Sequence, residues 1–372
     1  MNYPNKRSNR GGRIPWSRVA LWGLCILLAL ILVGLIVATV YAEHWLGLIN
    51  RDQDSTRNTL SSKELEDLYN DTTTNSNFIG ETMNPTDIIW DPAPTETIFD
   101  GEEYVNIMLV GQDRRWNETV SRSDAMALLT FNKKTGVLYM TSFLRDTYVQ
   151  IPGYDDNRIN AAYALGGMEL MEETIRLNFG VPVDGTVSVD FFRFPEIVDM
   201  LGGLDLTLTQ KEADYLNLHG NWGLGPEGSD WTLTEGVNHM TGEQCLAYSR
   251  LRQIDSDVNR VNRQHNVLIA MLGKVKDLSL KEAIALLDQF LPMVTTNMTN
   301  QEILTHAFSL FPMLSDCEIK TQRVPKWGDY ENVRIDNGTS NGMLVLLPDL
   351  DAIRKQLIDT LAYDIYATSS ID

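Results

Sequence analysis

Val105-Asn106-Ile107-Met108-Leu109-Val110, running straight into Gly111-Gln112-Asp113-Arg114-Arg115, is the stretch on which the fold turns. A near-continuous apolar run that breaks into glycine and charge suits a strand buried on both faces. Ser121-Arg122-Ser123-Asp124 leads into a second such run, Ala125 to Phe131. Lys133-Lys134-Thr135-Gly136 reads as a turn, and Val137 to Thr141 as a third strand that ends in Ser142-Phe143-Leu144-Arg145-Asp146-Thr147. Each of the three strands meets an Asp, an Arg or both at an end or in a connecting loop. Unpaired buried charge costs several kcal/mol or more, so these groups serve each other, a metal or an anionic ligand.

Working outward, 372 residues hold one large domain or two smaller ones. A formal charge of −19 argues against nucleic-acid binding, which needs a basic footprint. Cys25, Cys245 and Cys317 are too few for a disulfide framework, and two buried thiols at 245 and 317 are the simpler reading than a bridge.

Residues 19–42 carry no charge and, at about 1.5 Å per residue, are long enough to cross a hydrocarbon core of roughly 30 Å. Trp16, Trp22, Tyr41 and Trp45 sit near the ends of this segment, and Lys6, Arg7, Arg10, Arg13 and Arg18 precede it. That pattern predicts a single-pass anchor with a cytoplasmic tail at 1–18 and an extracellular remainder. A cleaved signal peptide ending at Ala42 is disfavoured, because its apolar region spans only about 7–15 residues. Residues 43–102 are rich in Asp, Glu, Ser, Thr and Asn, which predicts a stalk rather than a packed core.

Beyond the opening strands, helices are expected at 159–165, at 168–179 (stopped by Gly180), at 191–200, at 210–218 and at 241–249. Strands are expected at 186–189 and 204–208, and a glycine-rich loop at 220–229 lies between Trp222 and Trp231. Helices at 257–276, at 280–290 with Ser279 as cap, and at 300–310 precede a closing strand (342–347) and helix (348–361). The fold class is α/β: a single layered domain with a central mixed β-sheet flanked by helices, preceded by one transmembrane helix. It occupies 103–365, with a short tail at 366–372.

On the helix from Asp257, the residues Asp257, Arg260 and Gln264 share one face. Val258, Val261, Leu268 and Leu272 form the apolar stripe beside them, so the polar trio borders a buried surface. Arg250 and Arg252 lie on the approach to the same helix, whose N-terminal end favours anions. Arginine is suited to gripping phosphate oxygens bidentately. A solvated, salt-bridged helix face is the competing reading, but it leaves the charges at the strand ends unexplained. His219, His239 and His265 show no metal-ligand spacing and read as structural or surface residues.

Six of these stretches, in order, resemble the LytR-CpsA-Psr proteins over roughly 103–365. They are Gly111-Gln112-Asp113-Arg114-Arg115; Arg122-Ser123-Asp124; Ser142-Phe143-Leu144-Arg145-Asp146; Asn160-Ala161-Ala162-Tyr163 with Gly166-Gly167; Leu201-Gly202-Gly203; and Tyr248-Ser249-Arg250-Leu251-Arg252 through Asp257, Arg260 and Arg263-Gln264. The resemblance implies a membrane-anchored enzyme of the mainly Gram-positive cell wall. Such an enzyme moves an anionic glycopolymer, such as wall teichoic acid or capsule, from an undecaprenyl-pyrophosphate carrier to peptidoglycan with the help of Mg²⁺. It implies that Arg122, Arg145, Arg250, Arg252, Arg260 and Gln264 bind the pyrophosphate, and that Asp257 either orients Arg260 or serves the incoming hydroxyl. Some members also use a phosphate-contacting lysine, which matches no position here.

The residue types agree with this chemistry. Phosphoryl transfer needs charge neutralisation and positioning more than covalent participation. Mg²⁺ takes one or two carboxylates besides phosphate oxygens, and Asp113 with Asp124 supply the pair. Asp146 either ligates or pairs with Arg145. A polyprenyl chain needs an apolar tunnel, for which Phe191, Phe192, Phe194 and Met200 are candidates, although an aromatic helix face is as often plain core. Two further classes share these residues: hydrolysis of the polyprenyl pyrophosphate by water, and binding of polyprenyl phosphates without turnover, to which two metal carboxylates would contribute nothing.

Overall fold

The computed structural model describes residues 41–52, 82–94, 97–99, 101–113, 122–190, 193–219, 230–251, 254, 257–314, 316–338 and 342–369. Residues 41–48 are helical and form part of one unit, in which the Tyr41 and Trp45 rings meet at 5.6 Å. The expected anchor lies outside the described residues except at its last two positions. Among the described residues no helix is long and apolar enough to cross a membrane.

The second unit starts at Ile49 and is built on strands β1 (Asn50–Arg51), β2 (Thr82–Met83), β3 (Tyr104–Asp113), β4 (Arg122–Asn132), β5 (Val137–Phe143), β6 (Tyr148–Val149) and β7 (Asn157–Arg158). There follow α1 (Ile159–Phe179), β8 (Gly185–Asp190), α2 (Phe194–Met200), β9 (Leu204–Leu208), α3 (Gln210–His219), β10 (Gly236–Met240) and α4 (Gly242–Arg250). The rest is α5 (Asp257–Asp277), α6 (Leu280–Phe290), β11 (Val294–Thr296), α7 (Asn300–Leu314), β12 (Glu318–Val324), β13 (Tyr330–Ile335), β14 (Met343–Pro348) and α8 (Leu350–Ser369).

Seven strands form the central mixed sheet in the order β1-β11-β8-β3-β4-β5-β12. β3 is parallel to β8 and β5 to β12, while β4 runs antiparallel to both β3 and β5. The C-terminal ends of β3, β5, β8 and β12 and the start of β4 therefore share one edge of the sheet. Ligand sites in open α/β sheets favour that edge.

The two faces of the sheet are covered differently. Met108, Val110, Met126, Leu128 and Phe143 pack with Ile159, Ala162, Leu165, Met171, Ile175 and Phe179 of α1 and with Ile353 and Leu357 of α8. α1 bends where Gly166 and Gly167 leave helical geometry. Gly167 has φ 66°, a conformation that costs a residue without Cβ little. Gly180 closes the helix in the left-handed region, donating its N–H to the Arg176 carbonyl. On the opposite face, Val105, Phe131 and Leu138 meet Leu272 of α5 and Leu310 and Met313 of α7. A separate core joins β9 and β10 to α3 and α4 through Leu204, Leu206, Leu216, Met240 and Tyr248.

The sheet of β3 to β5 and the flanking helices agree with the sequence-based expectation, including the Ser279 capping box of α6. The expected stalk differs. Within residues 43–102, β1 pairs with β11, and β2 pairs with β13. Trp90 packs on Tyr148, and Ile98 donates its N–H to the Gly180 carbonyl. Short strands that pair with distant partners carry no local periodicity, so composition alone hid them. β12 was also not expected: Glu-Ile-Lys-Thr-Gln-Arg-Val at a sheet edge is half exposed and lacks an apolar run.

Candidate functional site

Against the sheet face covered by α5, the structure contains a cavity of about 500 Å³. Its floor consists of Leu109 and Gly111 from β3, Ala125, Ala127 and Leu129 from β4, Met140 and Ser142 from β5, and Val187 and Val189 from β8. These are register neighbours: Leu109 pairs with Ala127 and Val187, and Ala127 with Ser142. The small side chains of Gly111, Ala125 and Ala127 leave the room that larger residues would fill.

The roof is one stripe of α5. Arg260, Gln264, Val267, Leu268, Met271, Leu272 and Val275 recur at helical spacing along the cavity, polar in the first two turns and apolar beyond. Fifteen residues of rise correspond to about 22 Å. Leu286, Leu287 and Phe290 of α6 and Phe194, Ile197 and Met200 of α2 close the sides. Phe194 and Met200, two of the four tunnel candidates, line the cavity; Phe191 and Phe192 lie outside the described residues. α2 is held close to α4, since a Cβ on Gly242 would meet the Pro195 carbonyl oxygen at 2.1 Å.

The polar end lies at the site edge of the sheet. Arg145, two residues past the end of β5, lines the cavity together with Arg260, Gln264 and Ser142. Arg145 Nε stands 3.3 Å from Asp146 Oδ1, and Arg158 Nε stands 3.5 Å from the same oxygen, so Asp146 is ion-paired. Arg158 also donates to the Leu344 carbonyl at 2.8 Å, which fixes the pair to β14. Arg260 is buried. Arg250 is the last residue of α4 and follows Ser249, which lines the cavity. Thus Arg145, which follows β5, and Arg260 and Gln264 of α5, more than a hundred residues later, share one cavity. Arg252 lies outside the described residues, as do Arg114 and Arg115.

For Asp113, Arg122, Asp124 and Asp257 the backbone is described and the side chains are not. Asp113 pairs with Arg122 at the end of the β3–β4 ladder. Between the pairs Gly111–Ala125 and Gln112–Ser123 the register slips, leaving Asp124 as the extra residue of a bulge. Bulges beside active sites re-aim neighbouring residues. Among the described residues no group of three His, Cys, Asp or Glu could hold a metal ion. Two aspartate positions at one strand end offer the hard oxygen donors that suit Mg²⁺.

Three polar arrangements were not foreseen. Gln112, buried between the glycine and the aspartate of its motif, donates to Ser188 Oγ at 2.8 Å and to the Tyr163 hydroxyl, tying the end of β3 to β8 and α1. Arg263 is buried, its Nε 3.6 Å from Glu212 Oε1 of α3, and so braces α5 rather than facing ligand. His265 is buried and its Nε2 contacts Ser142 Oγ; burial and the nearby Arg323 charge push its pKa down to about 4. Of the other histidines, His239 Nδ1 meets Asp205 Oδ1 at 2.7 Å on the surface, and His219 stacks on Tyr215. Cys245 and Cys317 are buried free thiols, and burial pushes Cys245 up to about 12.

A family model described as the LytR_cpsA_psr family matches residues 60–355. The polyisoprenyl-teichoic acid–peptidoglycan teichoic acid transferase TagT of Bacillus subtilis (strain 168) is 33% identical over 219 residues, 58% of this chain and 65% of that protein. The chain therefore spans just under two thirds of that relative. A solved structure, "TagT bound to LIIa-WTA", superposes with a TM-score of 0.55 at 26% identity, covering 73% of this chain and 97% of that one. A second, the LytR-CPS2A-psr family protein YwtF (TagT) with bound octaprenyl pyrophosphate lipid, gives 0.51 at 25% identity, covering 72% and 94%.

Proposed function

From the premise that this chain belongs to the LytR-CpsA-Psr family, we propose that it transfers an anionic glycopolymer from an undecaprenyl-pyrophosphate carrier to peptidoglycan. The observation that carries this reading is the cavity itself. An apolar chamber of about 500 Å³ ending in Arg145, Arg260 and Gln264 has the polarity of a polyprenyl pyrophosphate: hydrocarbon inside, phosphate at the end. The curated relative named above carries a transferase name, and one of the solved structures is bound to octaprenyl pyrophosphate.

In the proposed reaction an acceptor hydroxyl attacks the phosphorus that bears the polymer. A new phosphodiester forms, the bridging P–O bond breaks, polyprenyl phosphate leaves, and the hydroxyl proton is released. Arg145, Arg260 and Gln264, with Arg122, Arg250 and Arg252, hold the phosphate oxygens, and Asp257, one turn before Arg260, orients that arginine or receives the proton. Asp113 and Asp124 would hold Mg²⁺. When bound, the ion neutralises charge on the phosphates. Residues 19–42 are proposed to anchor the chain in the cell membrane by a single pass, with the N-terminus cytoplasmic and the domain outside.

The test supplies the full-length chain with polyprenyl-pyrophosphate-linked polymer and peptidoglycan and measures covalent attachment. Attachment is expected to require divalent cation and to vanish in Asp113→Ala and Asp124→Ala at unchanged melting temperature. Release of polymer without attachment would replace transfer by hydrolysis. Full activity under chelation, together with active aspartate variants, would remove the metal assignment.

A further inference from the structure

The unforeseen contact between Ser142 and His265 sits where the two halves of the anion grip meet. Ser142 is the penultimate residue of β5, three residues before Arg145, and lines the cavity. His265 follows Gln264 on α5, five residues beyond Arg260. Their contact, Ser142 Oγ to His265 Nε2, joins the strand that delivers Arg145 to the helix that delivers Arg260 and Gln264. Both residues are buried, so the contact is not a surface accident.

We infer that Ser142 is a further ligand-binding residue, donating its hydroxyl proton to a phosphate oxygen, and that His265 is the positioning residue that frees that proton. The inference rests on the reading of the cavity as a polyprenyl-pyrophosphate site. A serine hydroxyl has one proton and two lone pairs, and a neutral imidazole has one N–H. If Ser142 gave its proton to His265, it would present lone pairs to an anion. If His265 donates through Nε2–H, the serine accepts that bond and its own O–H is left to point at the phosphate. An anionic ligand selects the second arrangement.

The surroundings keep the imidazole in the neutral state that this requires. Arg323 is the register partner of Ser142 on β12, and its charge together with burial disfavours the imidazolium. The same fact separates this pair from a nucleophilic serine and its base. There a carboxylate orients the histidine and stabilises its cation; here the nearby charge is positive. Ser142 therefore binds and does not attack.

The experiment measures binding of geranylgeranyl pyrophosphate and of geranylgeraniol, which lacks phosphate, to the full-length chain in detergent. Ser142→Ala is expected to weaken the pyrophosphate lipid about tenfold, as for a lost hydrogen bond to a charged group, and to leave the alcohol within about twofold. His265→Phe should cause the same loss alone and less than about a twofold further loss on top of Ser142→Ala. His265→Gln, whose amide N–H can still donate to Ser142, should stay within about threefold of the parent. The inference is overturned if Ser142→Ala binds both lipids as the parent does, if it weakens both alike, or if the His265→Phe loss adds in full. If the parent binds both lipids equally, the anion-gripping reading of the cavity falls, and this inference with it.

Discussion

The two faces of the seven-stranded sheet are built from the same strands and do opposite things. One presents Met108, Val110, Met126, Leu128 and Phe143, and α1 closes on it as a filled core. The other presents Gly111, Ala125, Ala127 and Ser142 beneath α5, and a chamber of about 500 Å³ remains. Alternation along a strand sends successive residues to opposite faces, so in β4 the small Ala125 and Ala127 alternate with the large Met126 and Leu128, and β3 ends its cavity-facing row at Gly111. The lesson is that a void of this size is made by side-chain volume at a few register positions while the backbone stays regular. Protein interiors otherwise pack to the density of organic crystals.

Deletion on the filled face is the strongest test of this contrast. Met108→Ala should cost about 2–5 kcal/mol, read as a fall in melting temperature, with little change in prenyl-lipid affinity. A stability loss well below 1 kcal/mol would mean the α1 face is no tighter than the other. Next comes acid. His265 is held at about 4 against an ordinary 6.5, so between those values the unfolded chain binds the proton that the folded one refuses. Stability present above pH 6.5 should then fall as the pH drops toward 4, by roughly 3 kcal/mol in all, and His265→Gln should flatten that slope. An unchanged pH profile in the variant would show that His265 titrates normally.

The mirror of the first test is Ala127→Leu, which adds volume on the hollow face. Stability should hold or rise by up to about 1 kcal/mol, while prenyl-lipid affinity drops roughly tenfold. If stability falls and binding is unaltered, the cavity is not where the lipid lies. The smallest effect is expected at the wall: Ser279→Ala removes the capping box of α6 and should cost about 1 kcal/mol.

Much of this asymmetry can be read in the chain, and the reason differs from residue to residue. The β3 to β5 runs, the stop at Gly180 and the Ser279 cap are local signals, carried by neighbours in sequence. The shared face of Arg260 and Gln264 follows from helical period alone, and both line the cavity. β1, β2 and β11 are two or three residues long and exist through partners elsewhere in the sequence, so no window around them reveals a strand. The Ser142–His265 contact was equally hidden. A serine at the end of an apolar strand and a histidine beside a site glutamine were each visible, but their meeting depends on how α5 lies on the sheet. Asp146 was legible only as an alternative, and the two arginines at 3.3 and 3.5 Å decide for pairing.

The two-residue strand β1 has a mechanical meaning. If residues 19–42 are the membrane anchor, a pull from that side reaches the sheet through Asn50 and Arg51. The bonds there include Asp52 N–H to the Thr296 carbonyl at 3.0 Å and Asn50 Nδ2 to the Pro292 carbonyl at 2.7 Å, with Arg51 reaching the Met298 carbonyl and Asn300 Oδ1. A force drawing this strand off the sheet's edge breaks them in turn, as a zip opens, while β3 and β4 stay unloaded. Amide exchange at Asp52 should accordingly be much faster than along β3, and equal protection would contradict the zip. Each residue released adds roughly 3.3 Å of slack, so a few freed residues lengthen the tether by about 10 Å while the strands that carry the site keep their register.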